Sequence, residues 1–350
     1  MTAGFENPFV EQRELLAGRA AVRLEGPGVV EVSGSDRYKF LNNTLSQELL
    51  TMNAGHSAEA LLLDPHGHIE QVLHLVDDGT AVWLITASGQ AEALAAFLDR
   101  MTFRADVAVA DRSADFAVFA HFGAFQGALS ASLKFEWVDP WPTLVPGGVR
   151  YAAEPVGLVW GYREAVVAAG DAVAVESAVR GASELALEAL RVAAHRPEQA
   201  TEVDDRALPH EFDWLTTAVH LKKGCYRGQE TVAKVHNLGH PPRRLALLHL
   251  DGSEVELPEH QAAVFEAGSE KVRGHITSVG NHFEAGPIAL ALLARATDES
   301  VGLEVAAPQA ATGRIAATQE VIVPASAGQA ANVEAIRDLS RSKRGKGLIG

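Results

Sequence analysis

One cysteine, Cys225, stands in 350 residues. A lone thiol forms no internal disulfide and builds no self-contained cysteine cage for a metal, which agrees with a reducing compartment. No apolar run approaches the roughly 18 residues needed to span a bilayer. The N-terminus, MTAGFENPFVEQREL, lacks the basic-then-apolar order of a secretory signal. The expectation is a cytoplasmic protein with no membrane contact. Positive charge is also in deficit: 30 Lys and Arg against 45 Asp and Glu leave −15 at pH 7. A surface of that sign repels phosphate backbones, so direct nucleic-acid binding is not expected. The exception is RDLSRSKRGKGLIG, where Arg337, Arg341, Lys343, Arg344 and Lys346 crowd together; residues 326–350 read as a basic flexible tail. The patterns GxGxxG, Walker A, HExxH and GxSxG are missing too, and with them the common nucleotide and hydrolase chemistries.

What is present is the composition of a folded chain, 47% hydrophobic and 21% charged, too long for one core. The opening reads as a short helix, two strands around a Gly-Pro-Gly turn, and a second helix over DRYKFLNNTLSQELL capped by Ser35 or Asp36. Residues 58–110 predict three strands, a helix in GQAEALAAFLDRMTF and a closing strand, a compact α+β unit. Strands are expected in FAVFAHFG, VRYAAE and GLVWGYREAVVAA, interrupted by the loop WVDPWPTLVPGG. A helix-rich segment, VAVESAVRGASELALEALRVAAHRPE, is stopped by Pro197. After Pro241-Pro242 the texture changes to short strands with turn signals up to residue 323, the pattern of a small β-barrel or sandwich.

Chemistry concentrates in HLKKGCYRGQETVAK, residues 220–234. Lys222, Lys223 and Arg227 bracket Cys225, and nearby positive charge is what lowers a thiol pKa from about 8.5. Gly224 and Gly228 permit tight turns. On the residues alone, a small structural cysteine in a Lys-Gly turn fits equally; His220 and His236 are near in sequence, which says little about proximity in the fold. DPHGHIE places Asp64, His66, His68 and Glu70 close together, yet Pro65 and Gly67 make it a hairpin tip rather than a metal site.

The run KKGCYRGQE closely resembles the signature K-G-C-Y-x-G-Q-E of the YgfZ-type folate-binding proteins, the iron–sulfur-cluster maintenance branch of the glycine cleavage T-protein (GcvT-like) superfamily. It is matched at Lys223, Gly224, Cys225, Tyr226, Gly228, Gln229 and Glu230. VEVSGSDRYKFLNNTLSQEL, LRVAAHRPE and RGHITSVGNHFEAGPIALALL are similar to further segments of these proteins. The resemblance implies an α+β fold with two interlocked N-terminal folate-binding domains, residues 1–50 with 111–240 and an inserted 51–110, followed by a barrel at 241–325. It implies a reduced folate such as tetrahydrofolate, with contacts at Asn43, Glu70, Arg191, Leu187 and Gly28, and no permanently bound metal. It implies a functional thiolate at Cys225 whose pKa Lys223 and Arg227 lower, in a turn shaped by Gly224 and Gly228 and held by Tyr226, Gln229 and Glu230. Its partners would be iron–sulfur client or assembly proteins, including enzymes that modify tRNA.

Departures from the T-protein pattern weigh against the alternative, a folate-dependent aminomethyltransferase. GHIEQV puts Gln71 and Val72 where that branch carries two aspartates, leaving Glu70 as the substitute. Ala193 replaces a folate-contacting glutamate, and Gly28 and Leu187 stand where some YgfZ-type proteins have tryptophans.

Overall fold

The computed structural model describes residues 7–124, 127–141, 143–153, 160–252, 257–310 and 312–329. The expected basic tail lies almost entirely outside them.

Helix α1 (Pro8–Leu16) begins where the Asn7 side chain accepts from the Phe9 N–H and Pro8 occupies the first turn. Strands β1 (Ala21–Arg23) and β2 (Gly28–Ser33) follow, then α2 (Arg37–Thr44). Phe40, Leu41 and Leu45 share the buried face that the helical spacing predicts. Next come β3 (Ser57–Leu63), β4 (Ile69–Asp77), β5 (Ala81–Thr86), α3 (Ala91–Met101) and β6 (Ala108–Asp111). These strands form an antiparallel five-stranded sheet in the order β3-β4-β5-β2-β6.

A second sheet takes β7 (Phe116–Phe122), β8 (Leu133–Val138), which follows the short α4 (Ala128–Ser132), and β9 (Tyr162–Ala168). Its order is β1-β7-β9-β8. Residues 21–33 therefore give one strand to each sheet, which interlocks the two units through the chain itself.

The helix-rich segment forms α5 (Ala172–Ala178), α6 (Glu184–Ala193) and α7 (Gln199–Glu202). The break between α5 and α6 has two causes. Gly181 makes a parallel bridge to Ala21 of β1, and Ser183 caps α6 by accepting from the Ala186 N–H. Helix α8 (Gln229–Leu238) starts immediately after the Cys225 turn and was not evident in the sequence. The expected strand VRYAAE is irregular backbone over 149–153; there the Tyr151 N–H is taken by the Asp213 carboxylate rather than by a neighbouring strand.

The barrel comprises β10 (Arg243–Leu250), β11 (Ala263–Glu266), β12 (Val272–His282), β13 (Gly286–Ala294), β14 (Leu303–Ala306) and β15 (Arg314–Val321), closed in the order β10-β13-β12-β11-β14-β15. Ala246, Leu248 and Leu250 point into the barrel, while Leu245 and Leu247 pack on the N-terminal core. Burial on both faces explains why this strand reads as a continuous apolar run. Barrel and helices meet closely: a Cβ on Gly280 of β12 would fall 2.7 Å from the Ala189 Cα of α6. Gln12 of α1 donates to the Asn281 carbonyl at 2.9 Å.

Candidate functional site

Cys225 is exposed together with Gly224, between two buried residues of the same turn. Lys223 and Tyr226 are buried, with the Lys223 ammonium 5.2 Å from the centre of the Tyr226 ring. The ammonium donates to the carbonyl oxygens of Asn42, Leu45 and Gln47 at 2.6, 2.8 and 2.5 Å. Carbonyls at and beyond a helix C-terminus lack intrahelical donors and carry the negative end of the dipole, so a cation is well placed there. Burial lowers the Lys223 pKa to about 8, a fall that Glu48 partly opposes.

Arg227 is committed elsewhere as well. It forms a two-pronged ion pair with Glu70 at 2.6 and 3.0 Å and lies over the Phe97 ring of α3. Of the three cations that the sequence sets around the thiol, two thus anchor the turn, Lys223 to the end of α2 and Arg227 to β4. His236 is paired with the Tyr151 hydroxyl at 2.8 Å, and the His220 ring accepts from the Lys222 N–H.

Gly228 adopts φ +81° at the start of α8, and a Cβ there would fall 2.6 Å from the Asp64 carbonyl oxygen. The Cys225 turn is therefore seated directly on the Asp64–His68 hairpin tip, whose Asp64 side chain accepts from the His66 and His68 N–H groups. Gly224 has open space at its Cβ position. Gln229 donates to the Lys223 carbonyl, and Glu230 is exposed in the first turn of α8.

A separate cavity of about 520 Å³ opens where the two sheets meet α6. Val72 and His74 of β4, Ile85 and Thr86 of β5, Tyr162 and Glu164 of β9, and Leu187, Glu188 and Arg191 of α6 form its walls, with Trp160, Asp139 and Arg196. Trp160 and Tyr162 are stacked at 5.3 Å and 13°. His74 stacks on Trp137 and pairs with Glu164 at 2.9 Å; burial pulls its pKa down, but Glu164 outweighs this and the net shift is upward.

Arginine charge in the cavity is balanced by buried carboxylates. Arg191 donates to Glu188 at 2.8 and 2.6 Å, to Glu202 at 2.9 Å, to the Arg196 carbonyl at 2.6 Å and to Ser278 at 2.5 Å. Arg196 donates to Asp139 at 2.9 Å and to Glu59 at 2.6 Å, while its Nη1, buried, has no hydrogen-bond partner.

Of the residues expected to touch a folate, Leu187 and Arg191 line this cavity. Gly28 packs against Ala91 and Thr86, Asn43 is exposed on α2, and Glu70 faces Arg227 on the Cys225 side. Val72 lines the cavity where the T-protein pattern has an aspartate, and Gln71 is buried, accepting from Thr86 at 3.0 Å. Trp160, Tyr162 and Glu164 were missed as site residues, although their spacing at alternate positions of a strand candidate marks one face.

No family model matches the chain. It is 25% identical over 285 residues to a chloroplastic protein of Arabidopsis thaliana named as a transferase, covering 75% of this chain and 62% of that protein. It is 25% identical over 235 residues to the mitochondrial iron–sulfur cluster assembly factor IBA57 homologue of Mycosarcoma maydis, covering 63% of this chain and 55% of that protein. The chain thus spans less than two thirds of the length of these relatives. Its structure superposes on the crystal structure of the glycine cleavage system aminomethyltransferase T from Bartonella henselae with a TM-score of 0.69 at 17% identity, over 92% of this chain and 90% of that one, which shows a common fold. No helix among the described residues is long and apolar enough to cross a membrane.

Proposed function

We propose that this chain, which shares the fold of an aminomethyltransferase T and is similar in sequence to an iron–sulfur cluster assembly factor, is an accessory factor that binds a reduced folate and supports assembly or repair of [4Fe–4S] clusters in client enzymes, including those that modify tRNA. The observation that carries the reading is an exposed thiol on a turn pinned two residues before it by buried Lys223 and two residues after it by the Arg227–Glu70 pair. Such a thiol is held still and remains open to a partner. One cysteine cannot complete the ligand set of a cluster, so a partner chain or a small thiol supplies the rest while Cys225 contributes one thiolate ligand.

The cavity fits a folate in size and chemistry. Its volume lies within the ~300–1,000 Å³ range of small-molecule sites. The Trp160–Tyr162 wall offers aromatic surface, the carboxylates of Glu164 and Asp139 suit the ring N–H donors of a pterin, and the free Arg196 N–H suits its carbonyl. A bound reduced folate supplies a one-carbon carrier.

The T-protein pattern carries its transfer carboxylate on β4, at the positions held here by Gln71 and Val72, and its loss from that strand weighs against aminomethyl transfer. Val72 is apolar and Glu70 holds Arg227 with both oxygens. Anaerobic titration with monoglutamyl tetrahydrofolate tests the folate reading: one-to-one binding is expected, lost when Leu187→Glu sets a carboxylate on the apolar part of the cavity wall. No saturable binding, or binding unchanged in Leu187→Glu, overturns it. Methylenetetrahydrofolate formed from an aminomethyl donor would instead favour the transferase.

A further inference from the structure

Among the side chains lining the cavity, six are carboxylates: Glu25, Asp139, Glu164, Glu184, Glu188 and Glu198. Opposing them are two guanidiniums and His74, with no lysine. All five N–H groups of Arg191 are taken by Glu188, Glu202, Ser278 and the Arg196 carbonyl, and Arg196 keeps a single free Nη1 deep in the wall. At the mouth, Glu25 and Glu184 are exposed and held together, the Glu184 carboxylate accepting from the Glu25 N–H at 3.4 Å. Arg23, two residues before Glu25, is paired with Glu176 at 3.1 Å. One buried acceptor can thus be satisfied inside, and a chain of anions at the mouth meets only like charge.

Resting on the folate reading, we infer that the cavity selects against poly-γ-glutamyl folates and takes a reduced folate bearing a single glutamate, or a pterin without one. Each added γ-glutamate brings one more carboxylate to a rim that offers no uncommitted cation among the described residues, on a chain of net charge −15. Exposed like charges repel within a Debye length, about 10 Å at 0.1 M salt, and the repulsion fades as salt rises.

The test is an anaerobic titration of the full chain with tetrahydrofolate monoglutamate and pentaglutamate, at low salt and at high salt. The pentaglutamate is expected to bind about tenfold more weakly at low salt, with the gap closing to about twofold at high salt. The double variant Glu25→Gln/Glu184→Gln, altered only at exposed positions, is expected to tighten the pentaglutamate severalfold and leave the monoglutamate within about twofold. Equal or tighter pentaglutamate binding by the wild type overturns the inference while leaving the folate reading in place. Absence of saturable monoglutamate binding overturns the folate reading and the inference together. A tenfold gap that neither salt nor the double variant reduces overturns the electrostatic cause.

Discussion

Arg227 grips both carboxylate oxygens of Glu70, at 2.6 and 3.0 Å, and so ties the Cys225 turn to strand β4. The pair also occupies the one acidic side chain left in the GHIEQV segment. Both partners are partly exposed, so Arg227→Met should lower stability by no more than about 1 kcal/mol in urea unfolding. Glu70→Ala should leave aminomethyl transfer at the background level of the wild type; a wild-type rate abolished by this change would restore Glu70 as a transferase residue.

Lys223 is a different case, because its ammonium is buried and makes three hydrogen bonds to the end of α2. Lys223→Met leaves those carbonyls without their charged donor and should cost about 3 kcal/mol, since charge-assisted bonds contribute more than neutral ones. Chemical denaturation measures the loss.

The two glycines flanking Cys225 should separate cleanly. Gly228→Ala puts a Cβ at φ +81° and 2.6 Å from the Asp64 carbonyl oxygen, and should destabilise by about 2 kcal/mol or more. Gly224→Ala enters open space and should be near neutral. Thermal melts of both variants decide this, and comparable losses would contradict the packing described.

His210 should make stability pH-dependent. Fully buried, it donates from Nε2 to the Val232 carbonyl at 3.1 Å, and burial depresses its pKa from 6.5 to about 4. The unfolded chain binds the proton more readily in that window. The contribution of neutral His210 is therefore intact above pH 6.5 and is lost as pH falls toward 4, by about 2 kcal/mol between pH 7 and 5. Asp213, with a pKa pushed up to about 6 by burial, acts in the opposite sense. The difference between wild type and His210→Gln in urea unfolding at the two pH values isolates the histidine: the variant should lose less.

The barrel was legible because Pro241-Pro242 breaks the chain just before Arg243, and because its strands are short, apolar and separated by turns. Helix α6 was legible through its 3.6-residue pattern. Helix α8 was not: Val232 is its one buried residue, so no apolar stripe announces it, and its start is set by the left-handed Gly228. Strand β8 was hidden because Phe135 and Trp137 run straight into a proline-containing loop. The cavity depends on pairings invisible to local pattern, such as His74 of β4 with Glu164 of β9. The anchoring of Lys223 to Leu45 bridges 178 positions, and no spacing rule reaches that far.

The proposed role joins the cavity beside Trp160 and Tyr162 and the Cys225 thiol in one task, the maturation of iron–sulfur proteins. Its most direct test is the activity of a [4Fe–4S] client, such as a tRNA methylthiolase, in cells lacking this chain and complemented with wild type, Cys225→Ala or Leu187→Glu at matched protein levels. Wild type should restore activity, and both variants should stay near the level of the deletion. Full restoration by Cys225→Ala or by Leu187→Glu would contradict this role.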